Sequence, residues 1–349
     1  MPVTYFEITR GPDLYNRNVK DEMGIRWGEI ESPIVLQGSE TVAFRDPCGH
    51  YHEGLFRVWH TEIHGEAGGD WYAVTGVTES RDLITWTAPR ALTPRNKRLN
   101  YSSPGNVIRY GDRWVMCLQT YPTPDGGKFG DHTSRVFTMA SDDLEIWDEP
   151  RLIRVKGPDV AREDMGRMID PYLVEDIHEL GKWWCFYKQN GASMSWSMDL
   201  ETWTYSGNVE AGENVCLLVE EGEYILFHSP RNGVGIKRSR DLQNWTDHGL
   251  MKLGQKEWLW AQGRLTAGHV LDLRDEPDVG KYVMFFHGSS SEGCAVQETH
   301  GHASLAVAWS EDLVTWEWGD KSKQVLRRID KFRATDRLGK RGKREAHDD

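Results

Sequence analysis

Apolar and polar residues alternate along this chain in short runs, never at helical spacing over a useful length. GLFRVWHT (54–61), WYAVTGVTES (71–80), GDRWVMCLQTY (111–121), GKWWCFYK (181–188), GEYILFHS (222–229), GKYVMFFHG (280–288) and ASLAVAWS (303–310) are each rich in Val, Tyr, Phe and Trp. Gly, Asp and Asn separate them. A period of two in β-branched and aromatic residues, bounded by turn formers, predicts half-buried strands. The chain therefore reads as all-β.

The strands come in groups, and each group ends in the same words. Ser-x-Asp-Leu-x-x-Trp occurs five times, with its aspartates at Asp82, Asp143, Asp199, Asp241 and Asp312. Successive aspartates are 61, 56, 42 and 71 residues apart. A recurrence at that period announces a repeat architecture. Each unit holds about four short strands, and five such units predict a five-bladed β-propeller, whose radial repetition leaves few open sheet edges. The motif falls between the third strand and the outermost one. Its Asp oxygen is suited to capping a tight turn, and its Leu and Trp to packing between units. It reads as scaffold. The propeller is expected to span 1–325, followed by a basic, flexible tail at 326–349.

Composition narrows the setting. Hydrophobic residues make up 38% and charged residues 28%, as in a soluble globular protein. The formal net charge is −12. From residue 321 onward there are 11 Lys/Arg against 5 Asp/Glu, so residues 1–320 carry −18. An acidic body argues against nucleic acid as a partner, because a phosphate backbone demands a basic face. No apolar run approaches the roughly 18 residues of a membrane span. The opening MPVTYFEITR lacks the basic and apolar regions of a signal peptide. Five cysteines (48, 117, 185, 216 and 294) include no CxxC pair, and Cys117 and Cys185 sit in apolar runs. A reduced, cytoplasmic protein is expected.

Chemistry on a propeller collects where the innermost strands converge on the axis. The segment opening blade one, AFRDPCGHYHEG, offers Asp46, and the segment opening blade three, RMIDPYLVED, offers Asp170 in the same place. Blade four opens with EAGENVCLL and offers Glu213, while blade five opens with RLTAGHVLD and offers His269. Blade two, NYSSPGNV, has no carboxylate there. The expectation is one acidic axial pocket holding three carboxylates and a histidine at matching blade positions. Two carboxyls flanking a sugar are the minimal apparatus of glycoside hydrolysis: one protonates the leaving oxygen, the other activates water or attacks. A third nearby raises the acid's pKa by repulsion and keeps it protonated near neutral pH.

At these residues the chain resembles the five-bladed β-propeller glycosidases, chiefly glycoside hydrolase families 43 and 117 and more distantly families 32 and 68. The resemblance runs over residues 40 to 320 but rests on short motifs: RDP at Asp46, IDP at Asp170, and ENVCLLVEEGEYILF at Glu213. It implies that Asp46 is the general base, Asp170 the pKa modulator that orients the acid, and Glu213 the general acid. It also implies that His269, in AGH, holds water or a structural Ca²⁺ at the channel centre, with no cofactor required for the reaction. The chain has Glu-Asn-Val where family 43 has Glu-Gly-Pro, and Gly212 where family 117 often has histidine.

Other residues carry two readings each. Arg45, Arg167 and Arg264 lie near blade openings, suited to binding sugar hydroxyls or a carboxylate, or to pairing with the acids. Trp260 lies in the loop-like KEWLWAQGR, where its ring either stacks on a sugar or packs in the core. His50, His52, His60 and His64 fit no standard zinc spacing and read as loop histidines. The function expected is a glycosidase, inverting and exo-acting, on a small oligosaccharide or glycoside. Its rivals are a phosphorylase of the same fold and a non-catalytic sugar-binding propeller. The sequence leaves the sugar, the linkage and the oligomeric state open.

Overall fold

The structure, a computed structural model, describes residues 24–320 except 125, 128 and 291–301. It is built almost wholly of strands, arranged as five antiparallel sheets in a five-bladed propeller. Blade one comprises Val42–His52, Leu55–Gly65, Trp71–Ser80 and Arg90–Ala91. Blade two comprises Val107–Tyr110, Arg113–Gln119, Val136–Ser141 and Arg151–Leu152. Blade three runs Ile169–Glu175, Trp183–Lys188, Ala192–Ser197 and Thr204–Val209, and blade four runs Glu213–Glu220, Glu223–Ser229, Gly235–Ser239 and Thr246–Leu250. In each, strand order follows the chain, so every blade is a meander. The first strands lie near the axis, whereas last strands such as Thr246–Leu250 are exposed throughout.

Blade five departs from the four self-contained strands expected of each unit. Its chain-ordered strands are Arg264–Leu273, Lys281–Ser289 and Ser304–Ser310. Two short segments share its outer edge. Trp316–Glu317 pairs with Ser310 and Trp309, while Ile34–Leu36, from before blade one, pairs with Ala306 and Leu305. The two ends of the propeller thus meet in one sheet. This closes the ring and covers an edge that would otherwise be open.

All five repeat turns are built alike. The Asp Oδ1 accepts two backbone N–H bonds: from Ile84 and Thr85 at Asp82, from Glu145 and Ile146 at Asp143, and from Glu201 and Thr202 at Asp199. Asp241 and Asp312 do the same with the two residues that follow their leucines. The Ser Oγ donates to the same carboxylate each time. Each Leu sits in the left-handed region, with φ of 58°, 66°, 58°, 60° and 60° at Leu83, Leu144, Leu200, Leu242 and Leu313. That is uncommon for a branched side chain. Four of the five are buried and Leu200 packs at a core's edge, so hydrophobic burial offsets the backbone cost.

The tryptophans pack between blades. Trp147 of blade two meets Trp59 of blade one edge-on at 5.7 Å, and Trp86 of blade one meets Phe285 of blade five at 6.0 Å. Trp203, Trp245 and Trp316 join the apolar clusters between their own blades and the preceding ones. The Ser-x-Asp-Leu-x-x-Trp motif is therefore the fastening between blades.

The four blade-one histidines are strand residues, not loop residues. His60 is fully buried, and Glu62 lies between His60 at 3.3 Å and His64 at 3.1 Å. Burial opposes the Glu62 charge, but hydrogen bonds from both imidazoles overcome it and hold the carboxyl down to about 2. Cys48, Cys117, Cys185 and Cys216 are buried and form no disulfide among the described residues. Cys294 and the expected tail at 326–349 lie outside the described residues. No described helix is long and apolar enough to cross a membrane.

Candidate functional site: the axial cavity

Each inner strand breaks step with its neighbour once, close to its start. The register shifts between Arg45 and Cys48, Ile169 and Tyr172, Glu213 and Cys216, and Thr266 and His269. Blade two does the same between the isolated Ser102–Gln119 bridge and the strand at Val107. At every break one residue turns left-handed: Asp46 (φ 48°), Ser103 (42°), Asp170 (52°), Asn214 (50°) and Ala267 (56°). An inserted residue bends the strand and re-aims its side chain. Pro47, Pro104 and Pro171 follow three of these residues, where the interrupted ladder needs no N–H.

These five residues define the true correspondence between blades. Asp46 and Asp170 are equivalent, as the sequence suggests. Glu213 is not their counterpart: Asn214 holds that place and Glu213 precedes it by one residue. His269 likewise lies two residues beyond Ala267, in line with Cys48, Gly105, Tyr172 and Cys216. A sequence comparison by residue type slid these two blades by one and two positions, because in neither is the equivalent residue acidic.

All three carboxyls nonetheless reach one cavity of about 220 Å³. Arg45, Arg167 and Arg264 line it as well, together with Lys188, Thr61, Trp71, Gln119, Tyr121 and Phe129. Trp260 does not line it. That ring stacks on Trp258 at 5.4 Å and lies 6.1 Å from Phe286, inside an apolar cluster. Nor is the cavity the acidic pocket expected, since four basic side chains share it with the three acids.

Asp46 is 13% exposed and held from three sides. Its Oδ2 accepts hydrogen bonds from Thr61 Oγ1 at 3.1 Å and Ser103 Oγ at 3.0 Å, and its Oδ1 accepts from Asn214 Nδ2 at 3.3 Å. Two of these donors, Ser103 and Asn214, are its own counterparts on other blades. Its backbone N–H donates to His287 Nδ1 at 3.0 Å, while Arg45 approaches the other ring nitrogen at 3.2 Å.

Asp170 is buried and its backbone N–H donates to Gln119 Oε1 at 2.5 Å. Burial, then the neighbouring Glu213 and Asp46, push its pKa up to about 8; a Ser103 hydrogen bond and Arg167 oppose them. Glu213 is 30% exposed and ion-paired to Arg264. One of the three acids thus stays protonated at neutral pH, and a second is matched by a cation. Arg167 lies over the Tyr121 ring at 5.4 Å and donates from Nε to Gly130 O at 3.3 Å.

Beneath this cavity lies a narrower one of about 20 Å³, bounded by His269, Gly105, Gly268, Cys216 and the undersides of Asp46 and Asp170. Burial lowers the His269 pKa to about 4, so the ring is neutral. The space suits one water. A Ca²⁺ here would draw six to eight oxygen ligands, water among them, and His269 itself offers a nitrogen. Among the described residues, no group of three or more His, Cys, Asp or Glu is disposed to hold a metal ion.

Sequence reasoning missed Thr61, Ser103, Gln119, Tyr121, Lys188, Asn214 and His287. Ser103 and Asn214 carried a signal, the position of Asp46 on other blades. The rest come from second strands and loops, where no acid or repeat draws attention.

No known family profile matches the chain, and no curated protein matches it in sequence. Solved structures do match in fold. An exo-1,5-α-L-arabinanase from a bovine ruminal metagenomic library aligns with a TM-score of 0.54 at 17% identity, over 78% of this chain and 95% of that one. A family 117 glycoside hydrolase produced by the marine bacterium Zobellia galactanivorans aligns at 0.58 and 15% identity, over 82% and 92%. The GH43_1 enzyme from Xanthomonas citri complexed with xylose aligns at 0.52 and 11% identity, over 82% and 93%. The fold is thus that of the five-bladed glycosidase propellers.

Proposed function

We propose that this chain hydrolyses the glycosidic bond of a small oligosaccharide, releasing a terminal sugar with inversion. The observation that carries the reading is the meeting of Asp46, Asp170 and Glu213 at one cavity, with Asp170 protonated to about 8. That the matching structures are glycoside hydrolases supports it.

Asp46 is the base. Thr61, Ser103 and Asn214 are neutral donors, so they fix both carboxylate oxygens without adding a counter-charge. The group is thereby oriented to take a proton from water. Glu213 is the acid, and Asp170 sets its proton affinity. The Glu213 charge is among the causes that keep the proton on Asp170, since two neighbouring carboxylates repel each other. In the resting site Arg264 is paired to Glu213. A sugar seated at Glu213 displaces Arg264 and lets the shared proton pass to Glu213, where it meets the leaving oxygen. Asp170 then carries the negative charge.

A second reading, phosphorolysis, draws on the four basic side chains, which would hold inorganic phosphate in place of water. It leaves Asp46 without a task. The test is release of sugar from a panel of aryl glycosides and oligosaccharides, with and without phosphate, and NMR of the first product anomer. Phosphate-independent release of the inverted anomer is expected; phosphate dependence, or the retained anomer, would refute the mechanism above.

A further inference from the structure

The cavity carries more positive charge than its own acids can neutralise. Arg45, Arg167, Lys188 and Arg264 face Asp46, Asp170 and Glu213, four cations against at most three anions. Asp170 keeps its proton at neutral pH, which widens the surplus. The chain as a whole is strongly acidic, with a net charge of −12, so this is a local inversion of sign. Like charges gathered in a concave site raise the local concentration of a ligand of opposite sign.

The four cations are not equivalent. Arg264 is paired to Glu213, and Arg45 lies against His287. Arg167 and Lys188 form no ion pair among the described residues. Both belong to blade three: Lys188 is the cross-strand partner of Ile169, two residues beyond Arg167. Arg167 is steadied by the Tyr121 face and the Gly130 carbonyl, both neutral. Among the described residues the buried Arg264 Nε, too, has no hydrogen-bond partner, so the site holds a donor still lacking an acceptor there. Sugar hydroxyls are met by neutral amides, hydroxyls and carboxylates and require no surplus of cations. A planar guanidinium beside an ammonium is instead the recognition chemistry of a carboxylate or sulfate.

We propose that the sugar taken by this cavity is anionic, bearing a carboxylate or a sulfate ester, and that Arg167 and Lys188 receive that group. The inference rests on the reading of the cavity as a sugar site, but not on its catalytic activity. Calorimetry with free galacturonate, glucuronate, galactose 6-sulfate, galactose and glucose tests it directly, and the first three separate carboxylate from sulfate. At least one anionic sugar is expected to bind about 10-fold or more tightly than its neutral counterpart, the difference a charge-assisted hydrogen bond makes. Raising the salt should erode that advantage and leave neutral sugars unaffected. Arg167→Met and Lys188→Met should each remove most of the preference, and Lys188→Arg should keep it.

Equal binding of neutral sugars overturns the proposal, as does a preference that survives both methionine variants. So does a strict requirement for inorganic phosphate in cleaving a neutral glycoside, since the cations would then serve phosphate. The two readings fail separately. Tight uronate binding without cleavage of any uronide would sink the hydrolase and leave the anionic sugar. Cleavage of neutral glycosides with no anion preference would do the reverse.

Discussion

The propeller carries two rings of five left-handed residues, one at its rim and one at its axis, and they are built on opposite principles. At the rim the sequence repeats along with the backbone: Ser-x-Asp-Leu-x-x-Trp appears in every blade with the leucine at φ near 60°. At the axis only the backbone repeats. Asp46, Ser103, Asp170, Asn214 and Ala267 share a conformation but present four side-chain types, aspartate alone appearing twice. A joint has one task in all five blades and keeps one solution. A cavity has five walls with different tasks, so the fold supplies the same strained platform five times and the blades mount four different side chains on it. Strain gathers at functional sites in this way when the surroundings over-determine it.

The sharpest way to break this contrast is to remove chemistry at the axis. Asp46→Asn and Glu213→Gln should each lower kcat by about 10²- to 10⁴-fold, the usual contribution of a general acid or base. Tm should barely change, because each substitution is isosteric, the new amide oxygen can keep the Thr61 and Ser103 bonds, and the Asn214 amide can turn its own oxygen to the new amide nitrogen. Steady-state kinetics beside thermal melts check this. A large loss of stability with modest loss of rate would make the axial ring a joint like the rim.

Asp170 distinguishes the rings by pH. An ordinary aspartate in the unfolded chain titrates near 4, whereas burial beside Glu213 and Asp46 holds Asp170 protonated to about 8. Between these values the folded protein binds a proton that the unfolded chain has released. Stability is fully present below about 4 and falls as pH rises toward 8, by at most about 1.4 kcal/mol per pH unit. Asp170→Asn removes that dependence. Melting curves from pH 5 to 9 should show a shallower decline for the variant than for the parent, and parallel curves would refute the assignment.

The rim is where the sequence speaks most clearly. Five copies of one heptad reveal the blade count, the turn-capping aspartate and the inter-blade tryptophan, because the same contact must be made five times. The closing strand Ile34–Leu36 leaves no such trace: three residues are too few to show a period, and their partner lies some 270 positions away. At the axis, Asp46 and Asp170 were legible through Asp-Pro. Glu213 was legible as an acid but misplaced by one residue, since the bulge that re-aims the strand leaves no mark when neither Asp nor Pro occupies it. Trp260 fooled a reading by residue type, because a tryptophan that stacks on a sugar and one that stacks on Trp258 look alike in sequence. Lys188 was invisible for a similar reason: it ends a second strand, where lysine is common.

A smaller effect is expected at the rim when a cap is removed without touching the core. Asp199 Oδ1 takes N–H bonds from Glu201 at 2.9 Å and Thr202 at 2.6 Å, and those bonds hold its pKa down to about 2. Asp199→Ala should cost about 1 kcal/mol, the net worth of a typical hydrogen bond, with the accepting site open to water. Urea unfolding at pH 7 measures it, and kcat for the same variant should stay at the parent value. The loss should shrink as the pH falls from about 4 and vanish below about 2, where the folded parent's carboxylate is protonated too. A change in kcat would show that the two rings are coupled rather than independent.

The smallest effect tests whether the strain at the axis is offset by a side chain, as it is at the rim. Ala267 has φ of 56° and is 4% exposed, yet only a methyl group stands on the strained backbone. Glycine removes a left-handed penalty of about 1–2 kcal/mol. Against that gain stand about 0.8 kcal/mol for the lost buried carbon and 0.4–1 kcal/mol of extra unfolded-state freedom. The terms nearly cancel, so Ala267→Gly should shift stability by less than about 0.8 kcal/mol in either direction. Leu242→Gly at the rim relieves the same penalty but forfeits a buried leucine, and should lose about 2 kcal/mol or more. Parallel urea curves for the two variants decide the matter. If Ala267→Gly proves as damaging as Leu242→Gly, the axial ring is held by packing after all, and its varied residues are structural choices rather than functional ones.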